Sequence, residues 1–512
     1  MSWRALFSRA NRLAGIGRAV VAAGKAGDAE KRLRAKKYTV ELLGGARGLA
    51  AKVGQMMAQG ENAETLENAL HSASPPMPFS EVASLLDSAY GVPHQTHFPR
   101  LDQQGIPASL GQVHFGKLPG GRRVAVKVQY PDIREAVEAE LRLFGWLPKA
   151  GPVSRFGISL EGYQRAFAKN GRQELDYLEE SARQVRYREL AQPLAALVVP
   201  EVLPEYCRSR VLVQAREDGF SLQKAAALPP GPRQAIGREF LHHFLHMLFR
   251  HGFLHADPHP GNWAFRQSGR SKFSIILYDY GCVLEMAPGR RRALLRAILA
   301  LREREPVDPA ACLAMVGFDA EKLRDLGASL PALLGILFEP FAFGQPFDVK
   351  QWRLSERMDR VAGDLKWWFR SAAPPDLIFL MRALHGLVLA LARLDARLDW
   401  GEALDECLGD LFDEARSLEL CDVGEGGPLF SGVARTLKVY VEKKSGVKIN
   451  LTLPARLAED IAAAMDDTVL DAIRPQNIDL AAIQARARKS GFVPQVLFEL
   501  ADAERQVRVW LD

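Results

Sequence analysis

Hydrophobic and polar positions change their period several times along the chain, and each change predicts a different kind of element. In residues 38–71, Ala, Leu and Met recur at helical spacing, and the proline-rich loop SASPPMPFS follows. Two alternating runs flank the turn signal LPGG further on, which predicts two antiparallel strands. ALVVPEVLPEY and SRVLVQA look like two more strands. After about Ser221 the pattern is helical, except for GNWAFR and FSIILYDYG, which predict a hairpin.

These elements predict an α+β chain with a small strand-containing lobe and a larger helical lobe. Such a bilobal order suits a nucleotide held in the cleft between the lobes. The predicted divisions are a basic amphipathic segment at 1–37, a helical extension at 38–99, the small lobe at 100–218, the helical lobe at 219–410 and a helical C-terminal segment of unknown role at 411–512.

Composition narrows the class of protein only slightly. With 512 residues, 48% hydrophobic and 25% charged, the chain has ordinary globular values and is long for one domain. The five cysteines are scattered, odd in number and without a C-x-x-C pair. This argues against a disulfide framework or a zinc site and favours a reducing compartment.

Charge is concentrated at the N-terminus, where residues 1–37 hold ten Lys or Arg and two acidic residues. Three interpretations stay open: a surface helix on anionic lipid, an organelle transit peptide, or a solvated helix packed on its own domain. The total formal charge is only +6, and no nucleic-acid partner is expected.

No apolar run has the length and composition of a membrane-spanning helix. The best candidate, DLIFLMRALHGLVLALAR, contains Arg382 and His385 and is interpreted as a buried core helix. Arginines also interrupt the N-terminal apolar stretches, so no secretory signal is expected. The predicted location is cytoplasmic, with any membrane contact peripheral.

Candidate chemistry begins with HGFLHADPHPGN, residues 251–262. Its H-x-D-x-x-x-x-N spacing puts the carboxylate of Asp257 near an attacking group and an amide oxygen of Asn262 where it can ligate Mg²⁺. Asp279 ends the apolar run ILYDYG and offers a second Mg²⁺ contact, as in a D-F-G motif.

Lys127 stands in VAVKV, and a lysine on an otherwise buried strand needs an anionic partner, either phosphate or carboxylate. The helix ELDYLEESARQ offers Glu174 and Glu180 as that partner. Lysine, glutamate, D-x-x-x-x-N and D-aromatic-G occur in the order found in protein kinases.

A histidine metal site was weighed against this interpretation. Two of the histidines, His242 and His246, share a helix face, but no H-E-x-x-H or cysteine partner completes a site. His255 is instead expected to pack and to orient the loop.

Two kinase features are missing from the sequence. No G-x-G-x-x-G precedes Lys127, and GIPASLGQVH stands in its place. Only a few residues separate Gly281 from Pro288, and no A-P-E follows. Because a protein kinase needs that platform to dock a peptide, phosphorylation of proteins is disfavoured.

The motifs together resemble the UbiB/AarF-type (ADCK-like) atypical kinase-like family over roughly residues 40–400. The matching stretches are AKVGQ, ASLGQVH, VAVKVQYP, ELD, GFLHADPHPGN and DYG. The resemblance implies a protein-kinase-like bilobal fold with a helical K-x-G-Q extension over the cleft.

The resemblance also implies roles for single residues. Lys127 pairs with Glu180 and contacts phosphates, Asn262 and Asp279 hold Mg²⁺, and Asp257 takes the catalytic-base position. The remaining expected ATP or ADP contacts and cleft residues are Lys52, Gln55, Ala108, Ser109, Gln112, Glu174 and Asp176.

The implied activity is Mg²⁺-dependent ATP hydrolysis, or phosphorylation of a small molecule, in isoprenoid-quinone (ubiquinone) or lipid metabolism. Enzymes of quinone precursors and an anionic membrane surface are the expected partners, and the oligomeric state is open. Two alternatives remain: a small-molecule phosphotransferase of the aminoglycoside or choline kinase type, and a nucleotide-binding scaffold with little turnover.

The sequence departs from the family pattern at three places. Ile106 and Pro107 precede Ala108 and shorten the alanine run, which leaves the preference between ATP and ADP open. Tyr280 replaces a phenylalanine, and Arg183 stands where the family commonly has asparagine.

Overall fold

The computed structural model describes residues 76–512, except for 109, 145–159, 270–271, 328, 425–428, 431–433, 435, 447, 462–477, 491 and 502–504. The basic segment at 1–37, the K-x-G-Q motif with Lys52 and Gln55, and Ser109 therefore lie outside the described residues.

A small lobe is built on an antiparallel sheet. Helix α1 (Phe79–Tyr90) precedes the strands β1 (Arg100–Leu101), β2 (Ile106–Pro107), β3 (Gly111–Lys117) and β4 (Arg123–Gln129). There follow the helices α2 (Ile133–Phe144), α3 (Leu160–Glu174) and α4 (Tyr177–Leu190), and then the strands β5 (Leu197–Val198) and β6 (Val211–Ala215). The sheet order is β1-β3-β4-β6, with β2 on β3, so the pair predicted around LPGG is confirmed as β3 and β4.

The hydrophobic core of this lobe shows which residues pack together with the sheet. Val124, Val126 and Val128 alternate on one face of β4 and are buried. They share a hydrophobic cluster with Val82 and Leu86 of α1. Residues 76–99 therefore pack into the small lobe, and the boundary expected at residue 99 does not separate two packed units.

The larger lobe begins with α5 (Leu222–Ala226), α6 (Pro230–Leu245) and a π-helical turn, His246–His251. Four short strands follow: β7 (Phe253–His255), β8 (Trp263–Gln267), β9 (Phe273–Leu277) and β10 (Val283–Glu285). The predicted hairpin is confirmed, because β8 and β9 pair antiparallel. β5 joins β9 in parallel, and β7 pairs with β10.

Helices make up most of the rest of this lobe. Their bounds, with two short strands, are α7 (Pro288–Glu303), α8 (Pro309–Val316), α9 (Ala320–Arg324), α10 (Ser329–Leu337), α11 (Glu339–Ala342), β11 (Phe347–Asp348), α12 (Leu354–Ala362), α13 (Leu365–Ala372), α14 (Leu377–Leu394), β12 (Arg397–Leu398), α15 (Trp400–Leu408) and α16 (Phe412–Arg416). α14 is the one helix of the described residues long and apolar enough to cross a membrane, and 44% of that window is buried inside the protein.

The C-terminal segment differs from its prediction. Residues expected to be helical form a four-stranded antiparallel sheet in the order β14-β13-β16-β15. Its elements are β13 (Thr436–Lys443), β14 (Lys448–Pro454), the helix α17 (Leu480–Lys489), β15 (Gln495–Ala501) and β16 (Arg505–Leu511). Inward-facing residues alternate along β13 in Leu437, Val439 and Val441, and along β16 in Val507, Val509 and Leu511. This period of two, present in TLKVYVEK and RQVRVWL, is the signal that the helical prediction overlooked.

Candidate active site

Two short hairpins fix the catalytic-loop motif against the D-Y-G motif. Because β7 pairs with β10, the N–H of Ala256 donates to the carbonyl of Cys282 at 3.0 Å. Because β8 pairs with β9, the N–H of Tyr278 donates to the carbonyl of Asn262 at 2.8 Å. Residues far apart in the sequence are thereby held side by side through their backbones.

Lys127 lies between two carboxylates contributed by different lobes. Its Nζ is 2.8 Å from Oε1 and 3.0 Å from Oε2 of Glu180 on α4. The same Nζ is 3.3 Å from Oδ2 of Asp279, which follows β9. A strand and a helix of the small lobe and a loop of the large lobe therefore converge on one ammonium group. The anionic partner expected for Lys127 is present, and it is Glu180 rather than Glu174.

Nearby charged groups determine the protonation state of Lys127. Burial disfavours the ammonium, but the negative charges of Asp279 and Glu180 outweigh burial and raise the pKa of Lys127 well above its usual value. The ring of Tyr177, 4.9 Å from Nζ, adds a cation–π contact. Lys127 is therefore a cation at neutral pH, positioned for an anionic ligand in the cleft.

Asp279 is held in an unusual backbone conformation. Its φ is +59°, in the left-handed region, which Asp tolerates better than most residues. Its Oδ1 accepts a hydrogen bond from the N–H of Gly281 at 3.1 Å. Its carbonyl accepts one from Nε2 of His255 at 2.6 Å, and the carbonyl of Tyr278 lies 3.1 Å from the same nitrogen. Burial lowers the pKa of His255, so a neutral imidazole orients this turn.

Asp257 is buried beside the same turn. Its Oδ1 is 3.4 Å from Nη2 of Arg382, which lies on α14. Nη1 of Arg382 points to Sγ of Cys282 at 3.7 Å. From the sequence, Arg382 is expected only as a polar interruption of a core helix. Its apolar surroundings in FLMRALHG were the available signal, because a buried arginine requires an acceptor or an anion.

Arg183 ties three segments together at the junction of the lobes. Its Nε donates to the carbonyl of Tyr280 at 3.1 Å. Its Nη2 donates to the carbonyls of Gln173 at 3.1 Å and of Gly281 at 3.4 Å. Arg183 follows Glu180 by three residues on the same face of α4. The end of α3, the helix α4 and the D-Y-G turn are therefore joined by one side chain, which sequence reasoning noted only as a departure.

Glu174 and Asp176 lie at the end of α3 and the start of α4. A Cβ on Gly281 would come within 3.2 Å of Cγ of Glu174, so this buried acid packs on the D-Y-G turn. Asp176 caps α4, because its side chain accepts a hydrogen bond from the N–H of Leu178 at 2.9 Å. The K-x-G-Q extension that the resemblance implies over the cleft lies outside the described part of the chain.

The loop that replaces a glycine-rich flap is held inside the small lobe. The N–H of Ala108 donates to the carbonyl of Gly111 at 2.8 Å. Oε1 of Gln112 accepts a hydrogen bond from the N–H of Met77 at 2.7 Å, and its Nε2 is 2.8 Å from Nε2 of His114. Gln112 therefore fastens the chain before α1 to β3. The nucleotide contact expected of Gln112 stays a prediction, and its buried amide makes contacts within the lobe.

The side chains of Asn262 and Asp279 carry the oxygen ligands that Mg²⁺ prefers. The Tyr278–Asn262 hydrogen bond holds both residues at the same end of the β8–β9 hairpin, and the Asp279 side chain remains 23% exposed. This donor set fits a divalent cation whose coordination is completed by phosphate oxygens and water. Among the described residues, no cluster of three or more His, Cys, Asp or Glu side chains is placed to hold a metal.

Fold and site together define a protein-kinase-like protein. A small lobe with an antiparallel sheet contributes the lysine and its glutamate. A larger, mainly helical lobe contributes a D-x-x-x-x-N loop and an aspartate-glycine turn.

Comparison with known proteins narrows this class to a family. Residues 69–308 match the ABC1 atypical kinase-like domain. The chain is 28% identical over 371 residues to "Atypical kinase COQ8, mitochondrial" of Saccharomyces cerevisiae, and the match covers 68% of this chain and 71% of that protein. It is 32% identical over 231 residues to "Probable protein kinase UbiB" of Serratia proteamaculans, covering 43% of this chain and 42% of that protein.

A solved structure supports the same fold. The complex of Rv3197 with erythromycin from Mycobacterium tuberculosis is similar with a TM-score of 0.52 and 23% sequence identity. The similarity covers 74% of this chain and 97% of that one. The chain is thus similar to ABC1 atypical kinase-like proteins of the UbiB/ADCK type, which confirms the resemblance predicted from its motifs.

Proposed function

We propose that the protein is a Mg²⁺-dependent ATPase with a kinase-like site that supports isoprenoid-quinone or lipid metabolism. The observation that carries the proposal is the convergence of Glu180 and Asp279 on Nζ of Lys127, within 2.8 and 3.3 Å. A buried ammonium between two carboxylates from different lobes suits a triphosphate better than any neutral ligand.

The proposed roles follow from position and chemistry. Lys127 binds phosphate oxygens of the nucleotide, and Glu180 keeps its ammonium in place. Asn262 and Asp279 are the residues that would hold Mg²⁺, which neutralises phosphate charge when it is bound. Asp257, buried in the loop between β7 and β8, orients the attacking oxygen and accepts its proton.

The reaction transfers the γ-phosphoryl group to water. The water oxygen forms a bond to the γ-phosphorus, and the bond from that phosphorus to the β–γ bridging oxygen breaks. ADP leaves with the electron pair of the broken bond, and inorganic phosphate forms. The proton of the water passes to the carboxylate of Asp257 and then to solvent.

Two features argue against a protein substrate. After Gly281 the chain runs directly into β10, which pairs with β7, and α7 begins at Pro288. No extended segment lies here to dock a peptide. In addition, α3 lies against the large lobe, with the ring centroids of Phe167 and Phe379 6.0 Å apart. A small acceptor or water suits a site without a peptide-docking segment.

The metabolic setting is inferred from the family. UbiB-type relatives resemble this chain in its motifs, and the isoprenoid-quinone role comes from that resemblance rather than from the site. The basic segment at 1–37, which offers a contact with an anionic membrane, lies outside the described residues.

Phosphate release from ATP by the pure protein, with and without Mg²⁺, tests the proposal. It is measured alone, with anionic liposomes, and with phenolic lipid mimics. Asp279→Asn is expected to reduce the rate roughly a thousandfold, because a divalent cation loses a charged ligand. Asp413→Asn is the matched control, since that side chain is 97% exposed on the large lobe.

Other outcomes separate the alternatives. Formation of ADP that strictly requires an added acceptor, without matching phosphate release, indicates a small-molecule phosphotransferase. Thermal stabilisation by ATP without any release indicates a nucleotide-binding scaffold and contradicts the proposal.

A further inference from the structure

The catalytic loop contains no strong base of its own to balance Asp257. Residues 251–262 include no Lys or Arg. Nε2 of His255 lies 3.1 and 2.6 Å from the carbonyls of Tyr278 and Asp279, so this nitrogen is used by the D-Y-G turn. Yet Asp257 is buried, and a buried carboxylate is costly unless a cation or several donors accompany it.

The cation comes from α14, more than a hundred residues further along the chain. Nη2 of Arg382 is 3.4 Å from Oδ1 of Asp257, and both side chains are about 90% buried. Burial disfavours the guanidinium charge. The electrostatic interactions with Cys282, Asp257 and Glu174 outweigh burial and hold the pKa of Arg382 above its usual range. Nε of Arg382 is buried and makes no hydrogen bond to the described residues.

The same face of α14 also packs against the loop that carries Asp257. Gly386 follows Arg382 by one helical turn, and a Cβ placed on it would lie 2.7 Å from Cβ of Pro258. Phe379, one turn before, contacts Phe167 of α3 at 6.0 Å between ring centroids. Positions 379, 382 and 386 share one helix face. α14 therefore packs directly on the segment that carries Asp257.

We propose that Arg382 is the positioning residue for Asp257. Its guanidinium fixes the orientation of the carboxylate at the base position and balances its charge, while Gly386 lets the helix approach Pro258. This inference rests on the proposed function, since it concerns the same site. It also accounts for the arginine within α14, the one helix of the described residues long and apolar enough to cross a membrane.

A double-mutant cycle on the full chain tests the proposal. The variants are Arg382→Met, Asp257→Asn and their combination, assayed for Mg²⁺-dependent phosphate release and for ADP binding. Arg382→Met should lower kcat roughly 10- to 100-fold, with KM for ATP unchanged, because it acts on the base and not on nucleotide contacts. In the Asp257→Asn background the same change should cause no further loss, since its effect passes through Asp257.

Controls separate positioning from stability. Arg393→Met removes an arginine from the same helix three turns away and should leave kcat unchanged. Arg382→Lys keeps a positive charge with a single donor group and should lower kcat by a smaller factor than Arg382→Met. If Arg382→Met does not fold, Arg382→Lys carries the test, and an unchanged kcat in it overturns the inference.

The remaining outcomes are decisive. If the wild-type protein hydrolyses ATP and Arg382→Met does so at the same rate, this inference alone is overturned. It is also overturned if the losses of kcat in Arg382→Met and Asp257→Asn multiply fully in the double variant. Weakened ADP binding in Arg382→Met also overturns it, because a nucleotide contact and not positioning is then lost. Absence of turnover from the wild-type protein overturns the proposed function, and this inference with it.

Discussion

The protein has two junctions that share one motif, a base between two carboxylates. Between the small and large lobes, Lys127 lies between Glu180 and Asp279. Between the large lobe and the C-terminal sheet, the guanidinium of Arg357 on α12 contacts Glu339 through Nη1 and, at 3.3 Å through Nε, Glu459. Both junctions therefore join separate parts of the chain through buried charge.

The two junctions differ in how far their charged side chains remain exposed to a ligand. The side chains of Arg357 and Glu459 are 9% and 4% exposed, and the flat guanidinium is shared by both acids. Asp279 is 23% exposed, and Lys127 is a point charge on a flexible stem. A buried pair holds two surfaces together. A partly exposed pair can also rearrange around an incoming anion. Buried charge therefore stabilises the contact at one junction and forms a ligand site at the other.

Breaking the C-terminal junction should have the largest effect on stability. Arg357→Met leaves Glu339 and Glu459 close together without their cation, which should cost about 3 kcal/mol of unfolding free energy. Denaturant unfolding is expected to show an earlier transition for the C-terminal sheet, with ADP binding unchanged.

Arg508→Met provides the control for that change, since it removes a half-exposed arginine from the sheet itself. An equal loss of stability in both variants would mean that the buried pair is not what joins the sheet to the lobe.

Loosening the cleft junction should have a smaller effect, which appears in ligand binding. Arg183→Met removes the hydrogen bonds to the carbonyls of Gln173, Tyr280 and Gly281, so the D-Y-G turn is no longer tied to α4. We expect KM for Mg²⁺-ATP to rise roughly tenfold, with a modest change in kcat. Steady-state kinetics at several Mg²⁺ concentrations measure this.

A matched control uses the same helix. Arg186→Met removes a half-exposed arginine that stacks on Phe253 but reaches none of those carbonyls. Equal KM values for wild type and Arg183→Met would show that the turn holds its shape without the arginine.

Acid should affect the two junctions in opposite directions, and this is the smallest expected effect. Burial lowers the pKa of His243, which accompanies Tyr187 of α4 behind the cleft, from 6.5 to about 3. Unfolding lets His243 take up a proton, so the stability it contributes is complete above pH 6.5 and falls as the pH drops towards 3. Burial raises the pKa of Glu459, so its contribution is complete below its ordinary value of 4.5 and is lost as the pH rises.

Unfolding free energies between pH 7 and pH 5 check this. His243→Gln should flatten the pH dependence by up to one proton, about 1.4 kcal/mol per pH unit. His97→Gln, a half-buried histidine of the small lobe, serves as the control. An unchanged slope in His243→Gln would contradict a neutral buried imidazole at this position.

Much of the cleft could be predicted because its signals are local. An apolar strand with one lysine, a loop with D-x-x-x-x-N spacing and an aspartate after a buried strand each show in a few adjacent residues. The C-terminal sheet carried a local signal as well, in the alternation of TLKVYVEK, but it was interpreted as helical.

The sequence by itself determined the order of the motifs, the strand pair around LPGG, the hairpin before Asp279 and the resemblance to a family. These depend on side-chain period, turn residues and spacing, which are properties of short stretches. Only the tertiary structure decided that Asp279 joins Glu180 at Lys127, and that Arg183, Arg357 and Arg382 each reach a distant partner. An arginine can satisfy its charge against any acceptor the fold brings near, and which one that is depends on packing between elements remote in the chain.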